Sequence, residues 1–216
     1  LKPNKKNLSK WFFENKFKII KKQKVKTSTL FNLLKERKLK YVDIVKVDLQ
    51  GVDLKIYESL PKQIRNKIKY VELEPGLYEF YEKENDRVPQ VMNKMSKDFF
   101  SENISFGKHI KGNLKNIQKF SKIKKKLINI TNKKSISYLN ISFLSNFKKQ
   151  KYNERDTLIY LAILLLKKRY AEIFDILNLV NFKDEIFQDI KKYCEIRIIL
   201  SSFTYFLLLP FFIFKK

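Results

Sequence analysis

The sequence predicts an α/β fold with parallel strands, followed by an α-helical extension. Three observations predict it. Residues 41–49 (YVDIVKVDL) are β-branched and apolar, and Gly51 ends the run. Residues 68–74 (IKYVELE) form a second such run, closed by Pro75 and Gly76. Residues 52–60 between them have helical spacing, and a helix joining two strands is the crossover that parallel neighbours require.

The remaining elements follow in chain order. Residues 4–16 read as a short helix with Leu8, Trp11 and Phe12 on one face. Residues 17–26 alternate apolar and basic and read as a strand. Thr27 and Ser28 are placed to cap a helix over 29–38, whose buried stripe is Leu30, Leu33 and Leu34. The 41–49 run is apolar on both faces until its end, as expected of a central strand covered on both sides. Residues 87–97 read as a helix, and 103–109 and 135–144 as an antiparallel pair at the sheet edge, joined by a long Lys- and Asn-rich connection over 111–134. Beyond Asn153 the character changes: residues 154–180 read as two amphipathic helices and 182–196 as a third. The expected organisation is one domain over 1–147 and a helical extension over 153–216.

Composition narrows the function classes. The formal net charge is +25, yet only six of the 47 basic residues are Arg. Arg is the side chain suited to bidentate phosphate and base readout, so nucleic acid is not the expected partner. A weak attraction to anionic glycans or lipid headgroups fits a Lys-rich chain better. One cysteine, Cys194, and one histidine, His109, rule out a disulfide framework and a Cys/His zinc cluster. Cys194 falls in an apolar helix stripe and reads as packing. His109 reads as a solvent-facing or satisfied residue at a strand end. The chain begins at Leu1 without an apolar leader segment, which reads as a cut through a longer protein.

The chemistry-bearing stretch is Asp43 to Asp53. Side chains two apart in a strand share a face, so Lys46 and Asp48 point the same way, with Asp48 at the carboxyl end. In open α/β sheets ligands bind outside the carboxyl ends of the strands. Gly51 allows a tight strand-to-helix turn, and Asp53 either caps the next helix or faces the crevice. Glu72 and Glu74 share a face of the next strand, so two parallel strands would deliver Asp48 and Glu74 to one edge. Carboxylates gathered there either act as general bases on a hydroxyl or share a divalent cation. The plainer alternatives are a surface ion pair for Lys46 and Asp48 and turn chemistry for Glu74.

Three segments together, V-K-T-x-T-L-F-x-L-L (25–34), D-I-V-K-V-D-L-Q-G-V-D-L-K-I-Y (43–57) and Y-V-E-L-E-P (70–75), resemble the FkbM-type methyltransferase family. The opening L-K-P-N and the S-Y-L-N at 137–140 fit it too, so the resemblance covers roughly residues 1–145. It implies a partial Rossmann-like methyltransferase sheet, the C-terminal half of the domain. It further implies S-adenosylmethionine as cofactor and a sugar or glycan hydroxyl as acceptor. Carried over by position, Asp48, Lys46 and Glu74 are the expected catalytic residues. Gln50, Asp53 and Glu72 are expected to bind substrate, and Gly51 to form the turn. Two departures matter. None of the four glycines forms the G-x-G of a cofactor loop, so the cofactor-binding residues are not assigned and this part alone is not expected to hold the cofactor tightly. Gln50 and Asp53 stand where Glu is commoner; Gln50 cannot act as a base, which leaves that role to Asp48. No metal ligand set is assigned.

The tail, 198–214, is seventeen uncharged residues with Arg197 before it and Lys215 and Lys216 after. It reads either as a helix packed on its neighbours or as an interfacial anchor. The expected location is cytoplasmic, at the inner face of a membrane if the tail engages lipid. The alternatives to a methyltransferase are a non-catalytic remnant and a membrane-associated binding or scaffold protein.

Overall fold

The computed structural model describes residues 2–11, 14–82, 86–112, 120–180 and 184–213, with residues 15 and 204–213 as backbone alone. The chain divides into two compact units, Leu1–Asn146 and Phe147–Lys216.

In the first unit the elements are α1 (Lys5–Leu8), α2 (Leu30–Glu36), β1 (Ile44–Val47), α3 (Asp53–Glu58), α4 (Lys62–Arg65), β2 (Tyr70–Leu73), α5 (Val88–Met95), β3 (Phe99–His109), α6 (Lys122–Thr131) and β4 (Ser135–Ser145). The four strands form one mixed sheet in the order β1-β2-β4-β3. β1 and β2 are parallel, with Lys46 opposite Glu72. β4 runs antiparallel to both β2 and β3, so it returns between them and leaves β3 pointing the same way as β1 and β2.

Alternation along the strands builds the core. Val45, Val47, Val71, Leu73, Ile141, Phe143 and Phe99 cluster with Leu34 of α2, Leu54 and Tyr57 of α3, and Val91 and Met95 of α5. Each such apolar side chain taken fully out of water contributes roughly 1.5–3 kcal/mol. Lys69, just before β2, is completely buried, and its ammonium meets the Asp43 carboxylate at 2.8 Å.

Several sequence expectations need correction. β1 lies at an edge of the four strands rather than at the centre; Ile44 and Lys46 on its outer face are exposed, and only Val45 and Val47 are buried. Two apolar faces in sequence did not translate into two covered faces: the face bearing Ile44 and Lys46 is exposed, and no strand pairs with the outer edge of β1 among the described residues. Residues 18–29 form no strand. Ile19, Ile20 and Val25 stay exposed there, and alternation without a neighbouring ladder does not hold a strand. α2 is capped one residue later than expected, by Thr29, whose hydroxyl accepts from the Asn32 amide at 3.1 Å. The connection over 111–134 contains α6, started by Ser121, whose hydroxyl accepts from the Lys124 amide. The N-terminal helix is shorter than 4–16: α1 is followed by a 3-10 turn at Glu14–Phe17, and residues 12 and 13 lie outside the described set.

The second unit holds three helices: α7 (Glu154–Leu166), α8 (Tyr170–Leu179) and α9 (Glu185–Ile213). Asn153 caps α7 through the Asp156 amide at 2.8 Å. Tyr152, Phe147 and Tyr160 meet edge-on or tilted, with ring centroids 5.2–5.8 Å apart. Ile173, Phe187 and Cys194 are buried. α9 runs on through the sequence that was expected to end near residue 196. Among the described residues no helix is long and apolar enough to cross a membrane. Most of the apolar tail, over 204–216, falls outside the described side chains.

Candidate active site

The site is built where β1 and β2 end side by side. Their parallel register sets Lys46 against Glu72, and the two side chains form an ion pair at 2.5 Å. That hydrogen bond and the charge of Glu72 hold the Lys46 ammonium above its ordinary range. One pleat further on, Asp48 and Glu74 stand side by side at the ends of the two strands, close enough for the Asp48 charge to act on the Glu74 carboxyl. Partial burial comes first among the causes that push the Glu74 carboxyl up to about 7, followed by the negative charges of Asp48 and Asp53; Lys46 pulls weakly the other way.

Past β1 the backbone turns through two residues with positive φ, Gln50 at 60° and Gly51 at 103°. A left-handed conformation strains a residue with a side chain, by about 1–2 kcal/mol. Here it aims the Gln50 amide back over the strand ends. Gln50 Nε2 donates to Asp48 Oδ1 at 3.2 Å, and Tyr81 Oη donates to Gln50 Oε1 at 3.2 Å. A hydrogen-bonded chain thus runs from Tyr81 through Gln50 to Asp48, which stands beside Glu74.

Asp53, expected to contact substrate, is fully buried. One carboxylate oxygen accepts the Leu49 amide at 2.9 Å, and the other accepts the Glu74 amide at 2.8 Å. It ties the turn after β1 to the end of β2 and so positions the carboxyl pair. Burial raises its own pKa, and the two backbone donors pull it back. The cap of α3 is supplied instead by Asp86, which accepts from the Leu54 amide at 2.7 Å and the Lys55 amide at 3.3 Å.

In front of Glu74 lies a cavity of about 210 Å³. Gln50, Gly51, Glu74, His109 and Tyr138 line one part of it, and Phe17, Tyr78, Phe80 and Tyr81 the other. The aromatic wall is braced by Trp11, which meets Tyr78 edge-on at 5.2 Å and Phe80 at 5.9 Å. His109 was read as a plain strand-end residue, yet it borders this cavity. Ser137 Oγ lies 3.0 Å from the Gly107 carbonyl, to which it donates, and 2.7 Å from His109 Nδ1, which holds the ring in place. Burial and the nearby Lys16 and Lys134 lower the His109 pKa, which favours the neutral ring.

Sequence reasoning missed Asp86, Tyr81 and Tyr138. Asp86 carried no signal, since it precedes a different helix from the one it caps. Tyr138 was within reach: it lies inside the quoted S-Y-L-N segment, opposite Gly107 in the β3–β4 register.

S-adenosylmethionine does not fit these residues. The cavity is smaller than the roughly 300–1,000 Å³ of pockets that enclose ligands of that size. The amides at the start of α3 are already taken by Asp86, and Gly107 is covered by the Tyr138 ring. No cluster of three or more acidic, His or Cys side chains suited to a metal occurs among the described residues.

No protein-family model matches the chain, and no curated protein or solved structure matches it.

Proposed function

We propose that the first unit is the acceptor-binding and hydroxyl-activating side of an FkbM-type O-methyltransferase, acting on a sugar or glycan. The observation that carries this reading is the Asp48–Glu74 carboxyl pair at the ends of two parallel strands, with Glu74 titrating near neutrality. A general base works best when its pKa lies near the operating pH. The ionised Glu74 carboxylate takes the proton from an acceptor hydroxyl held in the cavity. Asp48 keeps Glu74 basic by repulsion, and Gln50 and Tyr81 hold Asp48 in place. Lys46 and Glu72 neutralise each other beside the pair, so the negative charge of Asp48 acts on Glu74 with little opposition from Lys46.

The cavity chemistry supports the acceptor class. A pyranose has an apolar C–H face and a polar hydroxyl edge. Phe17, Tyr78 and Phe80 suit the first, and Gln50, Glu74 and His109 suit the second. The strand-and-turn segment from Asp43 to Asp53 supports the family. No methyl-transfer step is assigned to the described residues, because the donor does not fit them.

Saturation-transfer NMR with a panel of monosaccharides and short glycans tests the reading on the chain itself. Transfer to sugar protons, weakened in Glu74→Gln and in Tyr78→Ala, is the expected result. No transfer to any saccharide, or transfer that both variants leave intact, rejects it.

A further inference from the structure

The sequence expectation of a plain connection over 111–134 hid an amphipathic helix, α6, with an unusual surface. Ile123, Leu127 and Ile130 follow the i, i+4, i+7 spacing of one helix face and are 74%, 53% and 70% exposed. No residue of α6 is buried. Lys122 and Lys126 flank the stripe on one side and Lys124 on the other. Lys125, Lys133 and Lys134 add to the charge, and the whole stretch 120–134 contains no acidic residue. Phe120, 41% exposed, precedes the helix under the Lys124 ammonium at 5.7 Å.

We propose that α6 is an in-plane lipid-binding helix that docks the chain on an anionic bilayer surface. Its apolar stripe enters the boundary between headgroups and acyl chains, and the flanking lysines meet anionic headgroups. An amphipathic helix with lysines on its polar side and a bulky apolar face has this physical preference. Two competing occupants fit less well. A polyanion such as nucleic acid would satisfy the lysines and leave three large aliphatic side chains in water. A second copy of the chain would place like charges against each other. A ten-residue helix, about 15 Å long, also offers one face far short of the roughly 1,200–2,000 Å² that stable interfaces bury. The headgroup region takes both features at once, with Phe120 adding to the apolar surface that enters it.

Sedimentation of the full chain with phosphatidylcholine vesicles, with and without phosphatidylserine, tests this. Binding is expected to the anionic vesicles, to fall as salt rises, and to be weak with phosphatidylcholine alone. Leu127→Asp, at an exposed position, should leave circular dichroism unchanged and lower the partition at least about tenfold, since a charge replaces a buried side chain of several methylene groups. Replacing Lys122, Lys124 and Lys126 with Ala should lower it on the order of a hundredfold. Three results would overturn the proposal. One is the absence of binding to anionic vesicles. Another is binding that Leu127→Asp leaves intact, which assigns it to another part of the chain. The last is a dimer in light scattering that Leu127→Asp dissolves. Saccharide binding by the first unit is a separate readout, so neither proposal falls with the other.

Discussion

Asp48 and Glu74 stand side by side at the ends of β1 and β2, and partial burial followed by the Asp48 charge pushes the Glu74 carboxyl up to about 7. Below its ordinary value of 4.5 the group is protonated whether the chain is folded or not. Between 4.5 and about 7 the folded chain holds a proton that the unfolded chain has released, so this carboxyl lowers stability as pH rises through that window. Glu74→Gln removes the effect. At pH 8 the variant should be more stable than the parent by on the order of 1 kcal/mol, after screening by solvent at a partly exposed site. At pH 4 the two should be alike. Urea denaturation of both at the two pH values checks it, and equal differences at pH 4 and 8 would remove the carboxyl pair from consideration. Hydroxyl activation should have the opposite dependence, rising as Glu74 ionises through about pH 7.

Asp53 holds that pair in place from beneath. Both of its oxygens accept backbone amides, from Leu49 and Glu74, in a site closed to water. Asp53→Asn presents an N–H₂ to one of those donors, and Asp53→Ala leaves two amides unsatisfied. A loss of about 2–4 kcal/mol is expected for either, from the desolvation cost of buried polar groups without partners. Chemical denaturation measures it. A carbon-detected titration of Glu74 in Asp53→Asn should also show its pKa drop toward the ordinary range, because the Asp53 charge is gone and the end of β2 is less firmly held beside Asp48.

The outline of this arrangement was legible in the sequence, and its details were not. Period-two alternation put Lys46 with Asp48 and Glu72 with Glu74, because side-chain direction in a strand is a local property. The helix between β1 and β2 made the strands parallel, and that alone brings their ends to one edge. What Asp53 does was open between capping and contact. Its answer depends on where the Glu74 amide lies, 21 residues away in sequence. Residues 17–26 looked like a strand because alternation signals a half-buried surface, not the presence of a partner. β1 looked central for the same reason: apolar residues on both faces do not say how many strands follow. His109 and Tyr138 entered the cavity wall through the β3–β4 register, which two bulges shift and no local pattern encodes.

The Asp43–Lys69 pair makes an asymmetric prediction. Lys69 is wholly buried, and Asp43 retains partial contact with solvent. Asp43→Ala removes the carboxylate that pairs with a buried ammonium and should cost about 3–5 kcal/mol. Lys69→Met keeps the volume of the side chain and leaves a carboxylate that water still reaches, so its cost should be clearly smaller. Thermal melts of the two variants side by side test the order, and a reversed order would mean that the ammonium is solvated in solution.

Gly107 lies directly under the Tyr138 ring, its cross-strand partner in the β3–β4 ladder. A Cβ at position 107 would stand 2.2 Å from the ring carbons Cε1 and Cζ, far inside contact distance. The backbone at Gly107 does not demand glycine for its dihedrals, so the constraint is the ring alone. In Gly107→Ala the ring must swing away, at a cost of about 1–3 kcal/mol for overpacking. The displacement has its own signature. Burial, then the negative charges of Glu74 and Asp48, hold the Tyr138 phenol above its ordinary 10. Released toward water, it should titrate closer to 10, which ultraviolet difference titration detects against a Tyr138→Phe reference. Tyr138 also lines the cavity, so Gly107→Ala should weaken saccharide binding although residue 107 itself does not border it. Replacing the ring in a Gly107→Ala, Tyr138→Leu double variant should recover most of the stability while the binding stays weak. That separates the packing cost of the clash from the contribution of the phenol to the site.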